Sequence, residues 1–156
     1  MNTIDKRLNE LGITLPEIAK PVANYLPFTR SGNLLFVSGQ LPFNNGVLLQ
    51  QGLLGQQISI VQGQACARQC AINIIAITKM ALVGNLEQVT RIVKLTGFVA
   101  GGAEFTDHPK VINGASDLMV DVFGDNGRHA RAAVGVSALP LNAPVEVEAI
   151  IEVAGT

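Results

Sequence analysis

The sequence predicts an α+β domain of two layers, a mixed sheet with two long helices on one face, and three observations predict it. Two stretches of helical apolar spacing, one from Ser59 to Val83 and one from Asp107 to Phe123, are long enough to cross a sheet. Around them lie short runs rich in Val, Ile, Phe and Thr, the composition of strands. The order is a hairpin, a helix, a strand, a helix and a closing strand pair, which lets both helices cover one sheet face. No linker, internal repeat or low-complexity tail interrupts the chain. Residues 1–156 read as one domain, with 1–24 as an N-terminal helix and extension.

The elements follow in order. Ile4, Leu8 and Leu11 recur at helical spacing, and Gly12 stops a short opening helix. Pro16, Pro21 and Pro27 make the next stretch extended. Tyr25–Arg30 and Leu34–Ser38 read as strands turned by Ser31-Gly32-Asn33, and Asn45-Gly46 signals a tight turn before a short strand at Val47–Leu49. Ser59 and Gln62 have the spacing of a capping box for the first long helix, which Gly84 ends. Val89–Val99 alternates like a strand, with Ile92, Lys94, Thr96 and Phe98 on one face. Asp107 is the expected N-cap of the second long helix, Pro109 suits its first turn and Gly124 follows its last. The runs from His129 to Pro140 and from Val145 to Ile151 read as two adjacent strands joined by a Pro-bounded turn.

Composition narrows the function. Hydrophobic residues make up 48% of the chain and charged residues 15%, against about 25% charged in an average domain. That is little charge for the surface of a monomer, so apolar surface is expected to be hidden between subunits. Aromatics are 4%, Trp is absent, the net charge is −1 and no Lys/Arg run occurs. Nucleic acid is therefore not the expected partner. The first dozen residues are amphipathic and lack a signal peptide's apolar core, and Ile72–Val83 is too short and too interrupted to span a bilayer. The expectation is a soluble, cytoplasmic protein without membrane contact.

Few residues are placed to do chemistry. Cys66 and Cys70 share a helix face and read as small buried hydrophobes rather than a metal or redox pair, because no second cluster completes a site. No Gly-rich phosphate loop and no HExxH occur, and two histidines leave little for a metal site or a triad. His108 belongs to a helix start. His129 either lines a cleft with Arg131 or is a solvated loop residue. Arg131, Glu146 and Glu148 put charge into strands that should be apolar, which is costly unless the charge is paired or has a task. Arg131 is either the salt-bridge partner of Glu146 or Glu148 or a residue with a chemical task.

Gly32-Asn33-Leu34-Leu35-Phe36-Val37-Ser38-Gly39-Gln40-Leu41-Pro42 resembles a signature segment of the YjgF/RidA family, also labelled endoribonuclease L-PSP-like. Ala130-Arg131-Ala132-Ala133-Val134, then Leu139-Pro140 and Val145-Glu146-Val147-Glu148-Ala149, resembles its C-terminal signature. The likeness runs from about Tyr25 onward, and the Leu15-Pro16 and Lys20-Pro21 stretch resembles a longer subgroup. The resemblance implies a chorismate-mutase-like protomer in a homotrimer, with sheets facing inward and clefts between subunits. It also implies hydrolysis of reactive 2-imino acids to 2-keto acids and ammonia, with no metal or other cofactor.

The same resemblance assigns roles. Arg131 matches the clamp for the substrate carboxylate, and Glu146 the carboxylate that orients or activates water. Tyr25 and Asn113 match cleft residues, and the backbone at Ala132 and Ala133 supplies hydrogen bonds. Ser38 and Gly39 let the backbone approach the ligand. Each also has a plain structural reading: a salt bridge for Glu146, packing for Tyr25, a solvent-facing polar for Asn113 and a chain turn for Ser38 and Gly39. Two positions depart from the family pattern. Ala133 stands where many members have a reactive cysteine, and Gly135 where many have a glutamate. The expected partner is a small carboxylate, as substrate or as the ligand of a non-catalytic sensor; RNA cleavage is the weaker alternative.

Overall fold

The computed structural model describes residues 2–18 and 24–155, so the expectation of extended chain at Pro21, and the Lys20-Pro21 pair, lie outside the described residues. The elements are α1 (Thr3–Glu10), β1 (Phe28–Ser31), β2 (Leu34–Gln40), β3 (Phe43–Asn44), β4 (Val47–Leu48), α2 (Ile60–Ala81), β5 (Val89–Ala100), α3 (His108–Phe123), β6 (Ala130–Val136) and β7 (Val145–Val153). Ser59 caps α2 as its sequence requires. Its hydroxyl accepts from the Gln62 N–H at 3.2 Å, and Gln62 returns its side-chain oxygen to the Ser59 N–H at 2.9 Å.

Asp107 does not cap α3 with its side chain. Its ψ of 33° leaves the extended conformation that aims an N-cap side chain at the first turn, and its carboxylate lies 3.6 Å from Lys110 Nζ instead.

The sheet order is β1-β2-β7-β5-β6, in which β5 and β6 are parallel and every other pair is antiparallel. The expected closing hairpin is therefore not one: β5 lies between β6 and β7. The crossover through α3 delivers β6 parallel to β5 along one edge. Residues 137–144 then carry the chain to the other edge of β5, where Ala100 N–H donates to Pro144 O at 2.9 Å. This leaves β6 as an edge strand.

The two helices cover one face. Leu35, Val37, Leu95, Val99, Val147 and Ile151 point into this layer and are buried, together with Ile74, Ile75, Ile112 and Met119 of the helices. Each such side chain contributes about 1.5–3 kcal/mol relative to exposure. A register shift between Ile92 and Lys94 breaks the expected alternation of β5, so Ile92 turns into the core while Lys94 stays exposed. Cys66 and Cys70 are buried in the same layer, and burial pushes the Cys66 thiol up to about 11 and Cys70 up as well. Both are unreactive packing residues. The opposite face carries Phe36, Lys94, Thr96, Phe98, Val134, Glu146, Glu148 and Ile150, with Phe36 and Val134 more than two-fifths exposed. No described helix is long and apolar enough to cross a membrane.

Candidate functional site

The strand register decides which face each candidate occupies. Directly paired residues share a face, and successive residues alternate. Arg131 pairs with Leu95, which pairs with Ala149, and both partners are buried under the helices. Arg131 and Ala133 therefore face the helix layer, although Arg131 is exposed because β6 is an edge. Glu146 pairs with Phe98 and lies three residues from Ala149, on the open face. Ala132 shares that face through Thr96 and Glu148.

Within one protomer Arg131 and Glu146 are thus on opposite sides of the sheet. The Arg131–Glu146 and Arg131–Glu148 salt bridges, one of the readings the sequence left open, do not form. Arg131 bonds to α3 instead: its Nη1 donates to Asn113 Oδ1 at 2.8 Å and to Ser116 Oγ at 3.1 Å. The structure brings Asn113 to Arg131, where the sequence allowed either a cleft residue or a solvent-facing polar.

Glu146 belongs to a second group. It is half-buried on β7 and, among the described residues, has no ion-pair partner. Burial raises its pKa, and the neighbouring Glu148 carboxylate raises it further. Gly39, at the bulge where β2 meets β7, lies against it; a Cβ at this position would run into the Glu146 carboxylate. Glycine here makes room for the acid. Ser38 holds the preceding segment, its hydroxyl donating to Leu26 O at 2.6 Å and its N–H to Pro27 O at 2.9 Å. That anchors the chain just after Tyr25, whose side chain is 63% exposed. Tyr25 precedes β1 rather than belonging to it.

Two more residues join the first group: Ser116, which the sequence did not single out, and His129, which it read either as lining a cleft with Arg131 or as a solvated loop residue. Ser116 is half-buried and three positions beyond Asn113, on the same helix face. His129 is not a solvated loop residue: its Nδ1 is 2.6 Å from Gly127 O and its Nε2 2.8 Å from Ser116 Oγ. The i, i+3 spacing of Asn113 and Ser116 and the i, i+2 spacing of His129 and Arg131 were legible. The packing of α3 on β6 that joins them was not. Gly135, the other departure in β6, lies under the His108 imidazole, which a side chain at 135 would have to displace.

Chemically, the first group offers a fixed cation with free donors and the second an acid of raised basicity without a counter-charge. No cluster of described His, Cys, Asp or Glu residues could hold a metal ion.

A family model described as "YjgF/chorismate_mutase-like, putative endoribonuclease" matches residues 5–153. Protein TCP17 of Trypanosoma cruzi is 48% identical over 146 residues, covering 93% of this chain and 91% of the relative. Among solved structures, Atu1372 of Agrobacterium tumefaciens, of unknown function, matches with a TM-score of 0.91 and 52% identity over 97% of this chain and 93% of its own. A "putative endoribonuclease" of Shewanella oneidensis MR-1 matches with a TM-score of 0.92 and 38% identity, over 97% and 100%.

Proposed function

This chain belongs to the YjgF/RidA family, and from that premise we propose that it hydrolyses short 2-imino acids to 2-keto acids and ammonia in clefts between copies of a homotrimer. The observation that carries the reading is the Arg131 guanidinium. Its Nη1 is engaged by α3, and its Nε and Nη2 have no partner among the described residues. Those two N–H groups point the same way and match the two oxygens of a carboxylate.

Glu146 supplies the base. A carboxylate of raised pKa accepts a proton more readily from water than an ordinary one. Water adds to the imine carbon while Glu146 takes one of its protons and passes it to the nitrogen, which gives the carbinolamine. Glu146 then carries the hydroxyl proton to the amino group, and the carbon–nitrogen bond breaks as the carbonyl forms. Ammonia leaves and the keto acid remains. Since the two groups occupy opposite faces of one sheet, the reading requires Arg131 of one copy to meet Glu146 of another. Ala132 and Ala133 contribute backbone donors and acceptors, and Tyr25, Ser38 and Gly39 line the Glu146 side. Ala133 offers no thiol, and the mechanism uses none.

The test is competition for an imine. An amino-acid oxidase generates 2-imino acids, semicarbazide traps them, and the protein diverts them to keto acid. Wild type is expected to suppress semicarbazone formation, and Arg131→Ala to lose that suppression while keeping its assembly. No suppression by wild type with short, branched or aromatic imino acids would reject the deaminase. The second reading, a carboxylate sensor, is favoured by the fact that Arg131 is held without help from Glu146. Thermal stabilisation by a keto acid without turnover is its signature.

A further inference from the structure

We infer that Ser116 and His129 are positioning residues for Arg131, forming a hydrogen-bond relay that fixes which guanidinium edge meets the ligand carboxylate. The inference rests on the reading of Arg131 as the carboxylate anchor.

The polarity of the relay follows from what each atom can do. Gly127 O only accepts, so the 2.6 Å contact requires a proton on His129 Nδ1. In the neutral ring Nε2 is then an acceptor, and Ser116 Oγ, 2.8 Å away, donates its single hydroxyl proton to it. With that proton committed, Ser116 Oγ turns lone pairs to Arg131 Nη1 at 3.1 Å. Asn113 Oδ1 accepts from the same nitrogen at 2.8 Å.

Two acceptors hold Nη1 against α3, so the opposite edge, Nε with Nη2, is turned outward as a parallel pair. Without His129 the Ser116 hydroxyl is free to rotate, and a proton aimed at a guanidinium repels it. Orientation of the outer edge is thereby traced to a carbonyl eleven residues beyond Ser116 in the chain. That carbonyl is itself pinned by packing. Gly127 is buried against α3, where a Cβ would lie 2.9 Å from Val120 Cα and collide with the Met119 backbone.

The relay differs in kind from a structural contact because it acts on ligand orientation and not on the chemical step. Ser116→Ala is expected to raise KM for 2-iminobutanoate, generated in place by an amino-acid oxidase, by about tenfold, the scale of one lost charge-assisted hydrogen bond. Its kcat stays within about twofold, since the reacting groups are untouched. Ser116→Thr, which keeps the hydroxyl, restores KM. His129→Gln keeps an acceptor near the Nε2 position but loses the bond to Gly127 O, and its KM falls between wild type and Ser116→Ala. Direct titration with 2-oxobutanoate, read by calorimetry, is expected to repeat the order without turnover.

Wild-type KM and 2-oxobutanoate affinity in both Ser116→Ala and His129→Gln, with Arg131→Ala inactive, would overturn the relay and leave the carboxylate anchor standing. An active Arg131→Ala would instead remove the anchor itself. Should Ser116→Ala fail to assemble, His129→Gln decides alone: unchanged KM and affinity overturn the relay, and a rise in both KM and dissociation constant at constant kcat supports it.

Discussion

The two charged groups of the candidate site are held in opposite ways. Arg131 is exposed at a sheet edge, yet its Nη1 is bound by two oxygens of α3. Glu146 is half-buried, yet it has no described cation and sits against a glycine that leaves room for it. One group is fixed in place by its hydrogen bonds; the other is kept uncomfortable in its charged form. An anchor needs orientation, and a base needs basicity. On the proposed reading, the difference teaches that a single sheet can supply both by directing them to different faces, and that one copy then does not complete the site.

The strongest test of this contrast removes the base and keeps its shape. Glu146→Gln is expected to lower kcat by about a hundredfold or more, the usual worth of a general base, with KM within about twofold. Steady-state kinetics in the coupled assay check it, and a rise in KM accompanied by loss of 2-oxobutanoate affinity would erase the division of labour.

Next comes complementation. Arg131→Ala and Glu146→Gln, each nearly inactive, are unfolded together and refolded as mixed oligomers. If each cleft takes its arginine and its glutamate from different copies, random mixing restores about a quarter of the clefts. Clefts built within one copy would restore none.

A smaller effect probes the room around the acid. Gly39→Ala places a methyl group where the Glu146 carboxylate lies. A displaced base is expected to lower kcat about tenfold while 2-oxobutanoate affinity is retained. Equal losses in both would place the carboxylate among the binding groups.

The smallest effect is on stability. The raised pKa of Glu146 means the folded protein holds this proton more tightly than the unfolded chain does. Its contribution to stability is full below the unfolded value of 4.5 and is lost as pH rises through the higher folded one. Glu146→Gln removes that loss, so its melting temperature is expected to exceed wild type at pH 7. The gain shrinks as pH falls toward 4.5. A gain independent of pH would mean that the charge of Glu146 is not under strain.

Much of this molecule is written locally. The Ser59–Gln62 cap, the Asn45-Gly46 turn and the glycines at 12, 84 and 124 act through neighbours a few residues away, and each element they bound appears where the pattern puts it. The charges at 131 and 146 were also visible, since polar residues in apolar strands stand out in any reading. Three features were not visible. Strand adjacency at the C-terminus depends on which edge of β5 is free after the α3 crossover, a fact about the whole sheet. The face of Ile92 depends on a bulge set by pairing with β7. The bond between Ser116 and His129 depends on where α3 rests on β6. Local periodicity and caps arise from contacts within a turn or two of chain, so sequence alone determined the elements and the charged residues among them. Register, face and hydrogen-bond partner arise from contacts between elements distant in the chain, and only the tertiary structure decided that Arg131 turns to α3 and Glu146 away from it.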